Sequence, residues 1–271
     1  MIHLIDTHCH LTNQRFAADR AEVIAALRSA GIWRVMTIGT GVEDARAALA
    51  LSQANPGVIA CAAGLDPYSC HEAGANFDSE LTALETLLRG GGFSALGEIG
   101  LEYFHHVNPH PQQIAQFEVQ LTLAQSLSLP VVIHVRDAHA DALATLARHR
   151  GNRGVIHSFS GDAQTARAYL DLGWHLSFNG MLTYKGNDAL REAARIVPAD
   201  RLLVETDAPY LPPVPHRGRR CMPGMTADTC ALLADLRGER DDDLRAWTTR
   251  NACRLFDWEL PPEWAVAKPG H

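Results

Sequence analysis

Two hydrophobic periods alternate along this chain. Short apolar runs of strand character are separated by longer stretches with apolar residues at helical spacing. Ile2, Leu4 and Ile5 read as a buried opening strand. Asp19–Ala30 carries Val23, Ile24 and Leu27 on a helical stripe and stops at Gly31. Trp33–Gly39 reads as a strand, Val42–Gln53 as a helix stopped by Asn55-Pro56-Gly57, Val58–Gly64 as a strand, and Asp78–Arg89 as a helix ended by Gly90, Gly91 and Gly92. Ser94–Gly100 is a strand, and Pro111–Leu127 a long helix with Phe117, Leu121, Ala124 and Leu127 on one stripe. The second half repeats the theme with strands at Pro130–His134, Gly154–His157, Trp174–Asn179 and Leu202–Glu205. Helices are predicted at Ala138–Arg148, Asp162–Leu172, Asp188–Val197, Thr226–Leu236 and Asp241–Leu255.

Repeated β-α units imply a parallel sheet. Eight of them in 271 residues predict the α/β class and a closed, single-domain (β/α)8 barrel of TIM type. The barrel is expected over residues 1–258, with a Pro-rich, loosely ordered tail at 259–271. An open doubly wound sheet is the alternative, but no G-x-G-x-x-G follows the first strand.

Charge and cysteines narrow the class. The net charge of -7 argues against a broad basic face that grips nucleic acid, while leaving room for a local patch. All but two of the 24 basic residues are arginines, and no lysine precedes Lys185, so the first half cannot supply a carbamylated lysine bridge. The six cysteines form no C-x-x-C and read as reduced thiols. No leader pattern opens the chain, and no apolar run approaches the roughly 18 residues of a membrane span, so a cytoplasmic protein without membrane contact is expected. No obligate protein partner is evident.

The chemistry sits at the predicted strand ends, where barrels of this kind gather functional groups. The opening strand ends in Asp6-Thr7-His8-Cys9-His10, and strict alternation puts Asp6, His8 and His10 on one face. Further ligand types close other strands: Glu98 in Gly97-Glu98-Ile99-Gly100, then His134, His157 and Asp207. Any one of these has an ordinary structural explanation; their recurrence at one rim does not. Four imidazoles and two carboxylates exceed what one zinc-like ion needs and suit two divalent ions (Zn, Mg, Mn or Ni). A carboxylate can bridge two ions and an imidazole cannot, so Glu98 is the expected bridge. His8, His10 and Asp207, from neighbouring first and last strands, would hold one ion, and His134 and His157 the other. Ions roughly 3.5–4 Å apart lower the pKa of a water between them. Asp207 is placed as its proton acceptor, and Glu98 and Asp207 are the expected catalytic carboxylates. Asp6 and Glu205 are candidate supporting or substrate-orienting groups.

These segments resemble the TatD family of metal-dependent hydrolases. The resemblance rests on Asp6 to His10, Gly97 to Leu101, Leu129 to Ala138, His157 to Gly161, Glu205 to Leu211, Pro215 to Gly218 and Asn251 to Phe256, in family order. It implies a TIM-type barrel, metal binding by His8, His10, Glu98, His134, His157 and Asp207, and hydrolysis of DNA phosphodiesters, often from the 3′ end. Two departures stand out. Glu102 replaces the usual Asp after Gly-Glu-Ile-Gly-Leu, and Arg219-Arg220-Cys221-Met222-Pro223 replaces a segment that usually carries Asn and Glu. Residues 104–111 are also rich in histidine.

A deoxyribonuclease is the leading expectation, with DNA bound weakly through phosphates by the ions and by Arg136, Arg217, Arg219, Arg220 or Lys185. Arg136, Glu205 and Arg217 are the named substrate-contact candidates. No aromatic stacking platform stands out in the sequence. The alternative is a small-molecule amidohydrolase or esterase, including one cleaving an aminoacyl ester on tRNA. A barrel that keeps its metal only for structure is the non-enzymatic possibility.

Overall fold

The apolar runs become eight parallel strands in one nearly closed barrel, in the order β1 to β8. The computed structural model describes residues 4–265, so Ile2 and the end of the predicted tail lie outside the described residues. The strands are β1 (Leu4–Cys9), β2 (Ile32–Thr40), β3 (Ile59–Gly64), β4 (Ala95–Glu102), β5 (Val131–Arg136), β6 (Gly154–Ile156), β7 (His175–Phe178) and β8 (Leu202–Val204). Between and after them run α1 (Arg20–Ala26), α2 (Val42–Ala54), α3 (Pro67–Ala73), α4 (Phe77–Arg89), α5 (His110–Leu127), α6 (His139–Arg148), α7 (Ala163–Asp171), α8 (Asp188–Ile196), α9 (Thr226–Arg237), α10 (Asp241–Leu255) and α11 (Pro262–Ala265). Each predicted strand and helix is present, with ends shifted by a few residues. Helix α3 was not predicted. Its start is nonetheless written in the sequence: Asp66 accepts a hydrogen bond from the Ser69 N–H, and Pro67 occupies the first turn.

Two apolar layers hold the barrel. Ile5, Met36, Ile38, Ala62, Ala95, Val132, Val155 and Leu203 form one cluster with Ala252, Cys253 and Leu255 of α10 and the following Phe256, against which Trp33, Trp258 and Leu260 pack. The opposite faces of the strands pack against the helices in a larger cluster. The barrel closes where the Asp207 N–H donates to the His8 carbonyl at 2.8 Å and the His10 N–H to the Ala208 carbonyl at 2.7 Å. Among the described residues no helix is long and apolar enough to cross a membrane.

One buried group makes stability depend on pH. His175, at the start of β7, is 8% exposed, and burial, aided by the nearby Arg201 cation, pushes its pKa down to about 4. The unfolded chain takes up this proton near pH 6.5 and the folded chain does not. The contribution of this group is therefore complete above pH 6.5 and is lost as pH drops from there toward 4. Between pH 7.5 and 5, urea unfolding of metal-stripped protein is expected to lose about 2 kcal/mol more than the His175→Leu variant loses. Equal losses in the two proteins would assign the pH dependence elsewhere.

Candidate metal centre

Glycine brings Glu98 into position. On β4, Gly97 and Gly100 take φ values of +150° and +148°, and a Cβ at Gly100 would lie 1.9 Å from the His134 carbonyl oxygen. Only a residue without a side chain lets β4 run this close to β5. The β4–β5 register shifts between Gly97 and Ile99, leaving Glu98 without a partner residue on β5.

The two oxygens of Glu98 address different histidines. Oε1 lies 2.8 Å from His134 Nδ1 and 2.9 Å from His157 Nε2. Oε2 lies 3.4 Å from His8 Nε2 and 3.9 Å from His10 Nε2. Asp207 Oδ1 completes the second set, 3.3 Å from His10 Nε2 and 3.7 Å from His8 Nε2. The six residues proposed from the sequence as ligands thus converge at one end of the barrel. Their donor atoms fall into three overlapping groups, each within 4.8 Å: His8, His10 and Glu98; His8, His157 and Asp207; Glu98, His134 and His157.

The donor set fits divalent ions on its own geometry. His8 Nε2 faces His10 Nε2 at 3.3 Å, and His134 Nδ1 faces His157 Nε2 at 3.2 Å. Ring nitrogens that point at one another need a proton or a cation between them, because two lone pairs alone repel. The electrostatics agree. Burial works against the Glu98 carboxylate, but His157, His134 and His8 outweigh it and hold its pKa well below the ordinary range. Asp207 is lowered against its burial by His10. In turn His134 is raised to about 9 and His10 to about 8, in each case by carboxylates that overcome burial. His8 is lowered by burial and by His157. Positive charge is drawn to the middle of this cluster.

Two buried carboxylates hold rings from behind. Glu205, 0% exposed, accepts the Ser158 N–H at 2.6 Å and meets His157 Nδ1 at 3.3 Å. It faces the ring and is absent from the cavity wall, so the structure gives it no direct view of a substrate. Glu102 meets His134 Nε2 at 3.2 Å and accepts the His105 N–H at 3.1 Å. Its pKa falls to about 2 despite burial, chiefly through His134. The longer side chain at this departure from the family pattern therefore reaches a candidate ligand. Two of the three histidines of the 104–111 stretch are engaged too: His105 with Tyr68, and His110 stacked on Tyr103 at 3.5 Å.

Asp6, expected from the sequence as a supporting group, is absent from these donor groups and accepts the His8 backbone N–H at 3.3 Å. The β1–β2 register shifts between Asp6 and Cys9, which breaks the two-residue alternation. The Asp6 carboxylate also accepts the Thr206 N–H at 2.9 Å and its hydroxyl at 2.5 Å, bracing the β8 end. Desolvation raises its pKa to about 8.

The centre opens into a cavity of about 810 Å³, lined by His10, Glu98, His134, His157 and Asp207 and by Asp44, Asp66, Tyr68, Glu102, Arg136, Asp137, Ser158 and Tyr210. Among the described lining residues Arg136 is the single arginine, and there is no lysine. Arg217 is exposed and off the wall, its guanidinium 4.0 Å from the Tyr184 ring centroid. Arg220 pairs with Asp19 at 2.8 Å. Sequence reasoning missed Asp66, Tyr68 and Tyr210. The first two follow the end of β3, and the strand-end rule applied to that strand would have found them. Asp137, Ser158 and Asp207 hold left-handed φ of +54°, +47° and +62°. Such conformations cost about 1–2 kcal/mol each for residues with a Cβ and cluster at functional sites.

Comparison with known proteins agrees with this geometry. A family profile described as TatD related DNase matches residues 5–257. The chain is 36% identical over 262 residues to the uncharacterized metal-dependent hydrolase YcfH of Escherichia coli K12, covering 93% of this chain and 95% of that one. It is 34% identical over 260 residues to a protein of Pantoea vagans named 3'-5' ssDNA/RNA exonuclease TatD, covering 93% and 99%. The crystal structure of YJJV, a TatD homolog from Escherichia coli K12, superposes with a TM-score of 0.88 at 31% identity, over 96% of this chain and all of that one. The chain belongs to the TatD family of metal-dependent hydrolases.

Proposed function

We propose that this protein is a deoxyribonuclease that shortens DNA from its 3′ end with two divalent ions. The observation that carries this reading is Glu98, whose two oxygens serve two separate sets of histidines. His8, His10 and Asp207 would hold one ion, His134 and His157 the other, and Glu98 both. When bound, such ions supply Lewis acidity toward a phosphoryl oxygen and lower the pKa of an attacking water. The chain's residues do the rest. Asp207, kept anionic by His10, accepts the proton of the attacking water. Glu102 and Glu205 fix which nitrogen His134 and His157 turn inward. Arg136, on the cavity wall, meets a substrate phosphate. The relative named as a 3'-5' ssDNA/RNA exonuclease supports the polarity.

A second reading has its own observation. Asp44, Asp66, Glu102 and Asp137 make the wall acidic around one arginine, which suits a neutral ester or amide better than a polyanion. One panel separates the two. Metal-stripped protein reloaded with Mn, Mg, Zn or Ni is given 5′-labelled single-stranded DNA, lactones, amides and an aminoacyl-tRNA. The expected result is DNA shortened stepwise from the 3′ end, abolished by chelator and reduced at least about a hundredfold in His134→Ala. Cleavage that persists unchanged in His134→Ala is a contaminant's. Turnover of carbonyl substrates alone replaces the nuclease reading by the second one.

A further inference from the structure

The exposed large apolar side chains among the described residues are five: Tyr68, Phe104, Val119, Tyr210 and Val214. The three aromatic ones all stand around the mouth that leads to the metal centre. Tyr68 follows β3, Phe104 lies two residues past β4, and Tyr210 lies in the loop after β8. Tyr68 and Tyr210 line the cavity, and Phe104 carries the guanidinium of the wall residue Arg136 4.3 Å from its ring centroid. In the strand order β4 and β8 are half a barrel apart, so the rings approach the centre from opposite sides.

Each ring is tethered by its edge or hydroxyl. The Tyr210 hydroxyl accepts from Asn13 Nδ2 at 3.0 Å, and its ring meets the His10 ring edge-on at 6.0 Å. The Tyr68 hydroxyl is 2.6 Å from His105 Nδ1. His105 in turn packs edge-on against Phe104 at 4.8 Å. Rings fixed this way lose little freedom when a flat partner lands on them. Exposure of 38%, 53% and 44% leaves them open to such a partner.

Resting on the nuclease reading, we infer that Phe104 with Arg136 on one side, and Tyr210 on the other, are base-stacking pads that grip an unpaired nucleic-acid end. The acidic wall carries the argument from exposed rings to this ligand. Beyond the reach of the proposed ions, phosphates find one arginine on the wall and repulsion from Asp44, Asp66, Glu102 and Asp137, so charge alone holds the rest of a strand poorly. Base faces are uncharged, and stacking on aromatic rings holds them whatever their sequence. The faces are free only in a single strand, since a duplex buries them in its own stack. Tyr210 and Phe104 are thus specificity-determining residues for strandedness and do not take part in bond cleavage.

The test compares two oligonucleotides, one normal and one abasic at its last two 3′ positions, with Tyr210→Ala, Phe104→Ala and Tyr210→Trp. Both alanine changes are at the surface, and unchanged thermal midpoints check the fold. For the normal substrate each alanine variant is expected to raise KM about ten- to a hundredfold at near-constant kcat. For the abasic substrate it leaves KM unchanged, and Tyr210→Trp restores the parent value on normal DNA. KM values that respond equally with both substrates, or with neither, overturn the stacking role. A parent protein that cleaves no nucleic acid with any metal removes the nuclease reading, and the inference with it, a result distinct from cleavage indifferent to base content.

Discussion

Glu98→Gln is expected to lower kcat at least about a thousandfold, equivalent to about 4 kcal/mol of transition-state stabilisation. The substitution keeps size and shape but removes the one negative charge that both histidine sets share. Glutamine can also offer a ring nitrogen an N–H where the carboxylate offered an acceptor. His134 Nδ1 and His157 Nε2 both converge on Oε1, so in the variant they meet either an uncharged amide oxygen or an amide nitrogen with no lone pair to offer an ion. Metal content measured on the same sample is expected to fall from the proposed two ions per chain to one or fewer. Activity within tenfold of the parent, with two ions retained, would falsify the shared-carboxylate assignment. The fold is expected to stay intact, since the strand ladder does not use this side chain.

Gly100→Ala is expected to act on the backbone instead, costing roughly 3–5 kcal/mol in urea unfolding. The added carbon would lie 1.9 Å from the His134 carbonyl oxygen and 2.9 Å from its carbonyl carbon, so β4 and β5 must separate. Gly173→Ala is the control. It also has a left-handed φ, +88°, but its Cβ would meet nothing within 4 Å. It is expected to cost only about 1–2 kcal/mol. Equal losses at the two glycines would show that backbone conformation, and not the β4–β5 approach, explains the cost. Because the separation moves His134, Gly100→Ala should also bind the second equivalent of metal more weakly, which titration of the stripped protein measures.

What the sequence disclosed, and what it withheld, follows from the range of the forces involved. Strand and helix periods are local, so eight β-α units were legible, with α10 (Asp241–Leu255) read to its ends. The convergence of His8, His10, Glu98, His134, His157 and Asp207 was legible because barrel topology forces strand ends to one rim. Asp6 was read as a supporting group, but its partner Thr206 could not be foreseen, because it follows the strand that closes the barrel, two hundred residues on. Glu102 could be noticed as unusual, but its contact with His134 needs the β4–β5 register. The aromatic rim was invisible for a related reason: Tyr68, Phe104 and Tyr210 are far apart in sequence and meet only through the order of the strands. Arg217 looked like a phosphate contact from its motif, yet its packing on Tyr184 takes it off the wall.

The meeting of the barrel's first and last strands also sets a schedule. His8 and His10 leave the ribosome some two hundred residues ahead of Asp207 and of the Ala208 bridge that closes the seam with Cys9. The half-site of Glu98, His134 and His157 is complete in sequence once residue 157 is made. The proposed half-site of His8, His10 and Asp207 must wait for β8. A growing chain would therefore carry the two histidines without their carboxylate for some two hundred residues, and the proposed centre is complete only when the seam closes.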